Sequence, residues 1–390
     1  MGRLLFSPFT EEGFLYPAIG LGQHLVARGH LVAMIAEEAG RSLLEGRGIL
    51  CFPASSAEAI SCRVGTWGDQ ESIACHSGML KRAIQAFQPD VLVISALNLS
   101  GLIAREETNI PTVVLGFASY MYPRAMGEIH KDSDAVERLR WWRYSETVRI
   151  LEAARARAGL MPSIDDWRCT ALLGDLFLLR TIPALEDSGV GLPSRVRFAG
   201  ACLWEPEGSE SQLGTLIDWR KRSGPPVIYV QVGRSFKGAS LWPIITEAFA
   251  REGVTIVASL SRCDVPIGDV PENFLLLPCV NQSVVLSQAR AVICDGHSTA
   301  VLGALCKGVP CVLAPNGSGT EEIAFRCQRA GVAEVLTRTA ISGAAVRTAT
   351  LATLGDGALE LACSKVRQGF AAFRNFDKAG AEVEKVLLNC

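Results

Sequence analysis

The sequence predicts an α/β protein made of two Rossmann-like, doubly wound parallel sheets, and three observations predict it. Apolar runs of strand length alternate with amphipathic segments of helix length throughout the chain. The strand-like runs, such as Val91-Leu92-Val93-Ile94, lack polar alternation, as strands covered on both faces do. The pattern stops at an acidic, breaker-rich stretch, Glu205-Pro206-Glu207-Gly208-Ser209-Glu210-Ser211, and then restarts.

At 390 residues the chain is too long for one core and suits two domains. In the first half, strands are expected at Arg3–Ser7, Leu31–Ala36, Val91–Ser95 and Thr112–Gly116. Helices are expected at Phe14–Arg28, Ile73–Gln88 and Leu99–Thr108. The second half repeats the scheme with strands at Val227–Gln231, Val254–Ser259, Ala291–Cys294 and Cys311–Ala314. Its helices are expected at Leu241–Arg251, Ser298–Cys306 and Glu321–Ala330, and Gly357–Cys390 reads as one or two terminal helices. The resulting division is 1–204, a linker over 205–222, a second domain over 223–374 and a last helix over 375–390. Two such domains imply a cleft facing both sheets, because ligands of open α/β sheets bind beyond the carboxyl ends of the strands.

Composition excludes several functions. With 49% hydrophobic and 20% charged residues the chain is well buried when folded, not disordered. A net charge of -2 and a pI near 6.3 leave no footprint for nucleic acid or an anionic membrane. The 13 cysteines form no CxxC pair, so no metal site is expected, and several sit inside apolar runs as small core residues. The odd cysteine count and the lack of a secretory signal point to the cytoplasm. No apolar stretch approaches the ~20 residues that a transmembrane helix needs.

The most informative segment is Asn281-Gln282-Ser283-Val284-Val285-Leu286, a strand, Asp295-Gly296-His297-Ser298-Thr299, an apolar helix and Lys307-Gly308-Val309-Pro310. A strand ending in a tight glycine turn that opens a helix aims backbone N–H groups and the positive helix end at one point, which suits a diphosphate. An ordinary β-turn-α connection has the same spacing, so both readings stand on these residues alone.

The order Gln282, Leu286, Ala289, Gly296, Ala304-Leu305, Gly308-Val309-Pro310 and Pro315 resembles the donor-binding signature of family 1 nucleotide-sugar glycosyltransferases. Ile228-Tyr229-Val230-Gln231-Val232-Gly233 resembles the first strand and glycine turn of that donor domain, with Val280 preceding the signature. Leu178–Glu186 and Val196–Gly200 resemble the run into the linker, and Gly13–Pro17 with Leu25–His30 the first glycine turn and helix. The resemblance covers most of the chain and implies the GT-B fold. The first domain then binds an acceptor, the second a UDP- or dTDP-sugar, and the last helix crosses back to the first domain. No metal and no cofactor besides the nucleotide-sugar co-substrate are implied.

Departures from the family pattern are as informative. The family's general-base histidine falls at Phe14 and its supporting aspartate at Ser95. Glu11 and Glu12 lie in the same loop and are the candidate replacements, Glu12 the better one; the alternative is a solvated acidic helix start. The family's phosphate-contacting histidine falls at Asp295, a carboxylate that would repel phosphate, with His297 two residues on able to take over the contact. Arg234, after Gly233 and before Ser235, is a second source of positive charge. The family's ribose-binding glutamate falls at Gly303, and its pair of sugar-binding residues is best matched by Glu321-Glu322. Ser298 and Thr299 complete the donor set. On the acceptor side, Phe14, Trp67, Tyr122 and Trp142 are candidate pocket residues, with Met121, Trp141 and Tyr144 nearby. Arg138, Arg140 and Arg143 read as a solvated helix face.

The expectation is therefore an inverting, metal-independent transfer of a sugar from a nucleotide diphosphate to a small apolar natural product, with homodimerisation left open. Two others stand beside it. One is altered chemistry on the same fold, such as coupling an amine or a pseudo-sugar. The other is a non-catalytic partner protein that keeps the fold.

Overall fold

In the computed structural model the described residues are 1–117, 135–163, 170–186, 192–207, 226–231, 241–259, 269–277, 280–337 and 341–389. They divide into two compact units. One contains Met1–Ile182, Asp187–Trp204 and Phe373–Cys390; the other contains Pro183–Glu186 and Glu205–Ala372.

The first unit carries seven parallel strands: β1 (Arg3–Ser7), β2 (Leu31–Ala36), β3 (Ile49–Pro53), β4 (Val91–Ser95), β5 (Thr112–Gly116), β6 (Leu176–Leu179) and β7 (Val196–Phe198). Their order is β3-β2-β1-β4-β5-β6-β7, so the winding reverses between β1 and β4. Every residue of β4 and β5 is buried, as expected of strands covered on both faces. Helices α1 (Glu12–Ala27), α2 (Glu38–Arg41), α3 (Val64–Trp67), α4 (Gln70–Phe87), α5 (Leu99–Thr108) and α6 (Ala135–Arg157) flank this sheet. Two apolar clusters fill its faces. One contains Leu92, Ile94, Leu102 and Phe177, the other Leu4, Phe6, Ile19 and Leu178.

The second unit carries β8 (Val227–Gln231), β9 (Thr255–Ser259), β10 (Phe274–Leu277), β11 (Ala289–Cys294), β12 (Cys311–Leu313) and β13 (Ala333–Val335). They too are parallel, in the order β10-β9-β8-β11-β12-β13, with the reversal between β8 and β11. Its helices are α7 (Leu241–Phe249), α8 (Gln282–Leu286), α9 (Ser298–Lys307), α10 (Ser318–Arg329), α11 (Gly343–Gly355) and α12 (Gly357–Ala371).

The last helix, α13 (Asp377–Leu388), belongs to the first unit and packs on α1. Glycines make that approach close. A Cβ on Gly20 would lie 2.2 Å from the Phe376 ring, and one on Gly380 2.6 Å from the His24 ring. At the rim, both nitrogens of the Arg28 fork donate to Glu384 at 2.7 Å, and His30 Nε2 lies 3.1 Å from the same carboxylate. The Arg28 hydrogen bonds hold the Glu384 carboxyl down at about 2.

Helix α6 departs from expectation. Arg140 and Arg143 are buried, while Trp142 is 60% exposed. The positions that share its inner face, Arg140, Arg143, Tyr144, Thr147, Leu151 and Arg155, repeat at helical spacing and lie over α4 and α5. Arg155 pairs there with Glu106 and Glu152. The solvated-face reading of Arg140 and Arg143 is thus corrected. The guanidinium groups are carried inward by the same turn of helix that buries Tyr144.

Candidate functional site

Strand order locates the site in each unit, since the crevice at a reversal of winding opens beyond the carboxyl ends of the two strands that flank it. In the first unit these strands end at Ser7 and Ser95.

Ser7 is fully buried, and its Oγ lies 3.0 Å from His76 Nε2 and 3.1 Å from Asn98 Nδ2, which donates to it. Asn98 Nδ2 donates also to the Ser7 carbonyl at 3.0 Å, while its Oδ1 caps α5 by accepting from the Gly101 N–H. His76 Nδ1 meets the Glu58 carbonyl at 2.5 Å, so this nitrogen donates and Nε2 accepts from Ser7. Burial pushes His76 down to about 4, and the ring is neutral. Ser95 Oγ accepts from the Phe9 N–H at 3.1 Å. Each of these polar groups answers another.

The candidate acid–base residues sit beside this cluster. Glu11 is the N-cap of α1, but its carboxylate accepts from the Cys62 N–H at 2.9 Å and leaves the helix uncapped. Glu12 opens α1. Phe14 packs edge-on against Phe9, with ring centroids 5.1 Å apart. Arg180, buried at the end of β6, donates to the Gly13 carbonyl at 2.9 Å and to the Ala201 carbonyl, tying the glycine turn to the chain after β7. Sequence reading passed over Arg180 and His76; a charged residue just after an apolar strand was the available signal for the first.

Among the aromatic candidates, Trp67 is half-buried against the first unit's core, and Trp142 faces solvent. Tyr122 and Met121 lie outside the described residues, as do Gly233, Arg234 and Ser235.

In the second unit, β8 ends at Gln231, paired with Cys294, and β11 runs into Asp295. Gly296 follows with φ +86°, and a Cβ there would lie 3.0 Å from the Thr320 carbonyl oxygen, so only glycine fits this turn. The chain then enters α9 at the N-cap residue His297, leaving the first-turn N–H groups of Ser298, Thr299 and Ala300 without helical partners.

Asp295 is fully buried and does not face the helix mouth as an unpaired charge. Its Oδ1 contacts His297 Nδ1 and accepts from the His297 backbone N–H at 3.3 Å. Sequence reading assigned Asp295 and His297 to opposed effects on a phosphate; the structure joins them into one pair.

Gln282 and Val280, both buried, come from the segment leading into α8. Gln282 Nε2 donates to the Thr299 carbonyl at 3.2 Å, and its amide occupies the space beside Gly303, where a Cβ would lie 2.7 Å from Nε2. Glutamine thus takes the space that a side chain at 303 would need. Among the described residues, four buried side-chain oxygens here have no partner: Gln231 Oε1, Gln282 Oε1, Asp295 Oδ2 and Thr299 Oγ1. Each such atom costs about 1–3 kcal/mol if nothing meets it.

Glu321 is exposed in the first turn of α10. Glu322 turns inward, where it accepts from Arg326 Nε at 2.7 Å, and Arg326 also pairs with Glu186. Its carboxylate is committed to that buried pair. No cluster of three or more metal-ligating side chains occurs among the described residues, and no helix there is long and apolar enough to cross a membrane.

No protein-family model matches this chain. Curated relatives do. It is 25% identical to 4'-demethylrebeccamycin synthase of Lentzea aerocolonigenes over 411 residues, covering 95% of this chain and 96% of the relative. It is 24% identical to the NDP-glycosyltransferase YjiC of Bacillus subtilis over 305 residues, 76% of this chain and 72% of that one. Among solved structures, the glycosyltransferase of kitacinnamycin superposes with a TM-score of 0.74 at 22% identity, covering 99% of each chain. Glycosyltransferase VinC, in complex with dTDP, superposes with a TM-score of 0.68 at 17% identity and full coverage of both chains. The fold is GT-B, as in these superposed glycosyltransferase structures. The chain is a glycosyltransferase.

Proposed function

We propose that the protein moves a sugar from a nucleotide diphosphate, UDP or dTDP, to a small apolar acceptor, with inversion and without a metal ion. The observation that carries this reading is the end of β11. There a ten-residue helix opens beside His297, and Gln231, Gln282, Asp295 and Thr299 each carry a buried oxygen without a partner among the described residues. Such a helix start stabilises the negative charge of a diphosphate leaving group. The orphaned oxygens accept from hydroxyl groups, which a ribose and a sugar supply. The relative named as an NDP-glycosyltransferase and the neighbour solved with dTDP support the choice of donor class.

In the transfer, the acceptor's nucleophilic atom attacks the anomeric carbon from the face opposite the diphosphate. The carbon–oxygen bond to the diphosphate breaks with its electron pair on the phosphoryl oxygen. The acceptor's proton must leave, and Glu12 is the carboxylate assigned to take it.

A second reading is favoured by Phe14, whose ring lies against Phe9 where the family carries its base. The acceptor is then an amine or another nucleophile that sheds its proton without enzymatic help. Transfer to amine and hydroxyl forms of one acceptor, compared by product mass, separates the two readings; Glu12→Gln abolishes only the transfer that uses a base. The donor assignment is tested by titrating nucleoside diphosphates into the protein, and absence of binding by any of them overturns it.

A further inference from the structure

We propose that Asp295 is a positioning residue that holds His297 as the protein's contact to the donor diphosphate, so that the two residues act as one pair. The inference rests on the proposed donor site and assigns the work inside it.

Asp295 ends a strand, Gly296 turns in the left-handed region, and His297 caps the helix. This three-residue path brings the Asp295 carboxylate against the Nδ1 side of the His297 ring. One carboxylate oxygen takes both the ring Nδ1 and the backbone N–H of His297. Two attachments from one buried oxygen fix both the position of the residue and the rotation of its ring. The opposite nitrogen, Nε2, has no protein partner among the described residues, and the side chain is 35% exposed. A carboxylate behind an imidazole orients its other nitrogen toward a ligand, as it does for metal-bound histidines. When both ring nitrogens carry protons, Nδ1–H donates to Asp295 and Nε2–H to a phosphoryl oxygen. The proton stays on the ring, and no covalent step is involved.

A second, independent observation points to a ligand at the same place. Asp295 is fully buried, yet its other oxygen, Oδ2, has no partner, and Thr299 Oγ1 in the first turn of the helix has none. These oxygens suit a ligand that brings hydroxyl donors together with its phosphates. The arrangement also accounts for a carboxylate at this position. Its Oδ1 is engaged by the imidazole and by the His297 N–H.

The test is calorimetric titration of dTDP and UDP, with the monophosphates dTMP and UMP as comparison, into four proteins: the wild type, Asp295→Asn, His297→Ala and the double variant. His297→Ala leaves the buried Asp295 carboxylate without its ring partner, so the melting temperature of every variant is measured first, and the double variant, which removes that charge as well, remains informative if His297→Ala folds poorly. The inference predicts that His297→Ala weakens diphosphate binding at least tenfold and monophosphate binding less. Asp295→Asn weakens it about fivefold, and the double variant loses less than the product of the two single losses, because part of the effect of Asp295 passes through His297; losses that simply multiply overturn the pairing. In protein carrying 15N-labelled histidine, the His297 Nε2 resonance moves on adding dTDP, and Asp295→Asn reduces that movement. Undiminished binding by His297→Ala overturns the inference. So does tighter binding by Asp295→Asn in either background, since the carboxylate would then repel the phosphate directly. Failure of the wild type to bind any of the nucleotides overturns the donor-site reading itself, a result distinct from either of those.

Discussion

The carboxyl ends of the two sheets have the same topology and unequal polar accounting. At the reversal between β1 and β4, Ser7, His76, Asn98 and Ser95 answer one another or nearby backbone groups, and Ser100 Oγ in the first turn of α5 is left over. At the reversal between β8 and β11, Gln231, Gln282, Asp295 and Thr299 each keep a buried oxygen without a partner among the described residues. A buried polar group is costly unless satisfied, so the first arrangement is scaffold and the second is suited to receive a polar ligand. The difference teaches that position at a switch point does not by itself mark binding chemistry. Which groups remain unanswered does.

The contrast can be broken by mutation, and the largest expected effect lies away from both strand ends. Arg326 is buried between Glu186 and Glu322. Arg326→Leu leaves two carboxylates uncompensated and is expected to cost about 3–5 kcal/mol, read as a lowered denaturation midpoint. An unchanged midpoint would show that the pair is not load-carrying and that stability in this unit comes from elsewhere.

Acid sharpens the contrast next. His76 resists protonation when folded, at about 4, whereas an unfolded histidine titrates near 6.5. The unfolded chain therefore binds the extra proton as pH falls below that value. The stability from burying neutral His76 is complete above about pH 6.5 and is lost progressively toward pH 4, a loss of roughly 3 kcal/mol. His76→Gln should flatten this part of the stability–pH curve. Asn98→Ala removes the α5 cap and both donations to Ser7 and is expected to cost about 2–3 kcal/mol, with nucleotide affinity unchanged.

At the other strand end affinity changes as well. His297→Ala removes the ring partner of the buried Asp295 carboxylate, at a cost of about 1–3 kcal/mol, and it weakens diphosphate binding. The smallest effect is expected from Gly303→Ala. The new Cβ displaces the flexible end of Gln282 and its bond to the Thr299 carbonyl, at a cost of about 1 kcal/mol. A crystal structure of that variant with Gln282 unmoved would contradict the packing argument.

Much of the fold was legible because central parallel strands are unbroken apolar runs. Arg3–Ser7, Leu31–Ala36, Val91–Ser95, Thr112–Gly116 and Val227–Gln231 all stand at the expected residues. Helix starts were placed two or three residues late at Glu12, Gln70 and Ser318, since a polar first turn carries no apolar periodicity. The edge strands Ile49–Pro53 and Ala333–Val335 were passed over, being short or partly exposed. The sites were less legible. The identities of Asp295 and His297 were plain, but their pairing depends on the φ of Gly296, which residue types do not state. The closed cluster at Ser7 was invisible for the same kind of reason, because His76 arrives from a helix 69 residues along the chain. Trp142 and Arg143 exchanged their expected places because alternating large residues do not reveal which way a helix is rotated.

The central claim is that the end of β11 receives a nucleoside diphosphate, and thermal denaturation with and without dTDP or UDP tests it most directly. A ligand present at about 100 times its dissociation constant adds about 2.7 kcal/mol, which raises the melting temperature by an amount easily measured. The account predicts that rise for the wild type and for Asn98→Ala, and a much smaller one for His297→Ala. A wild-type melting temperature indifferent to every nucleoside diphosphate would contradict it.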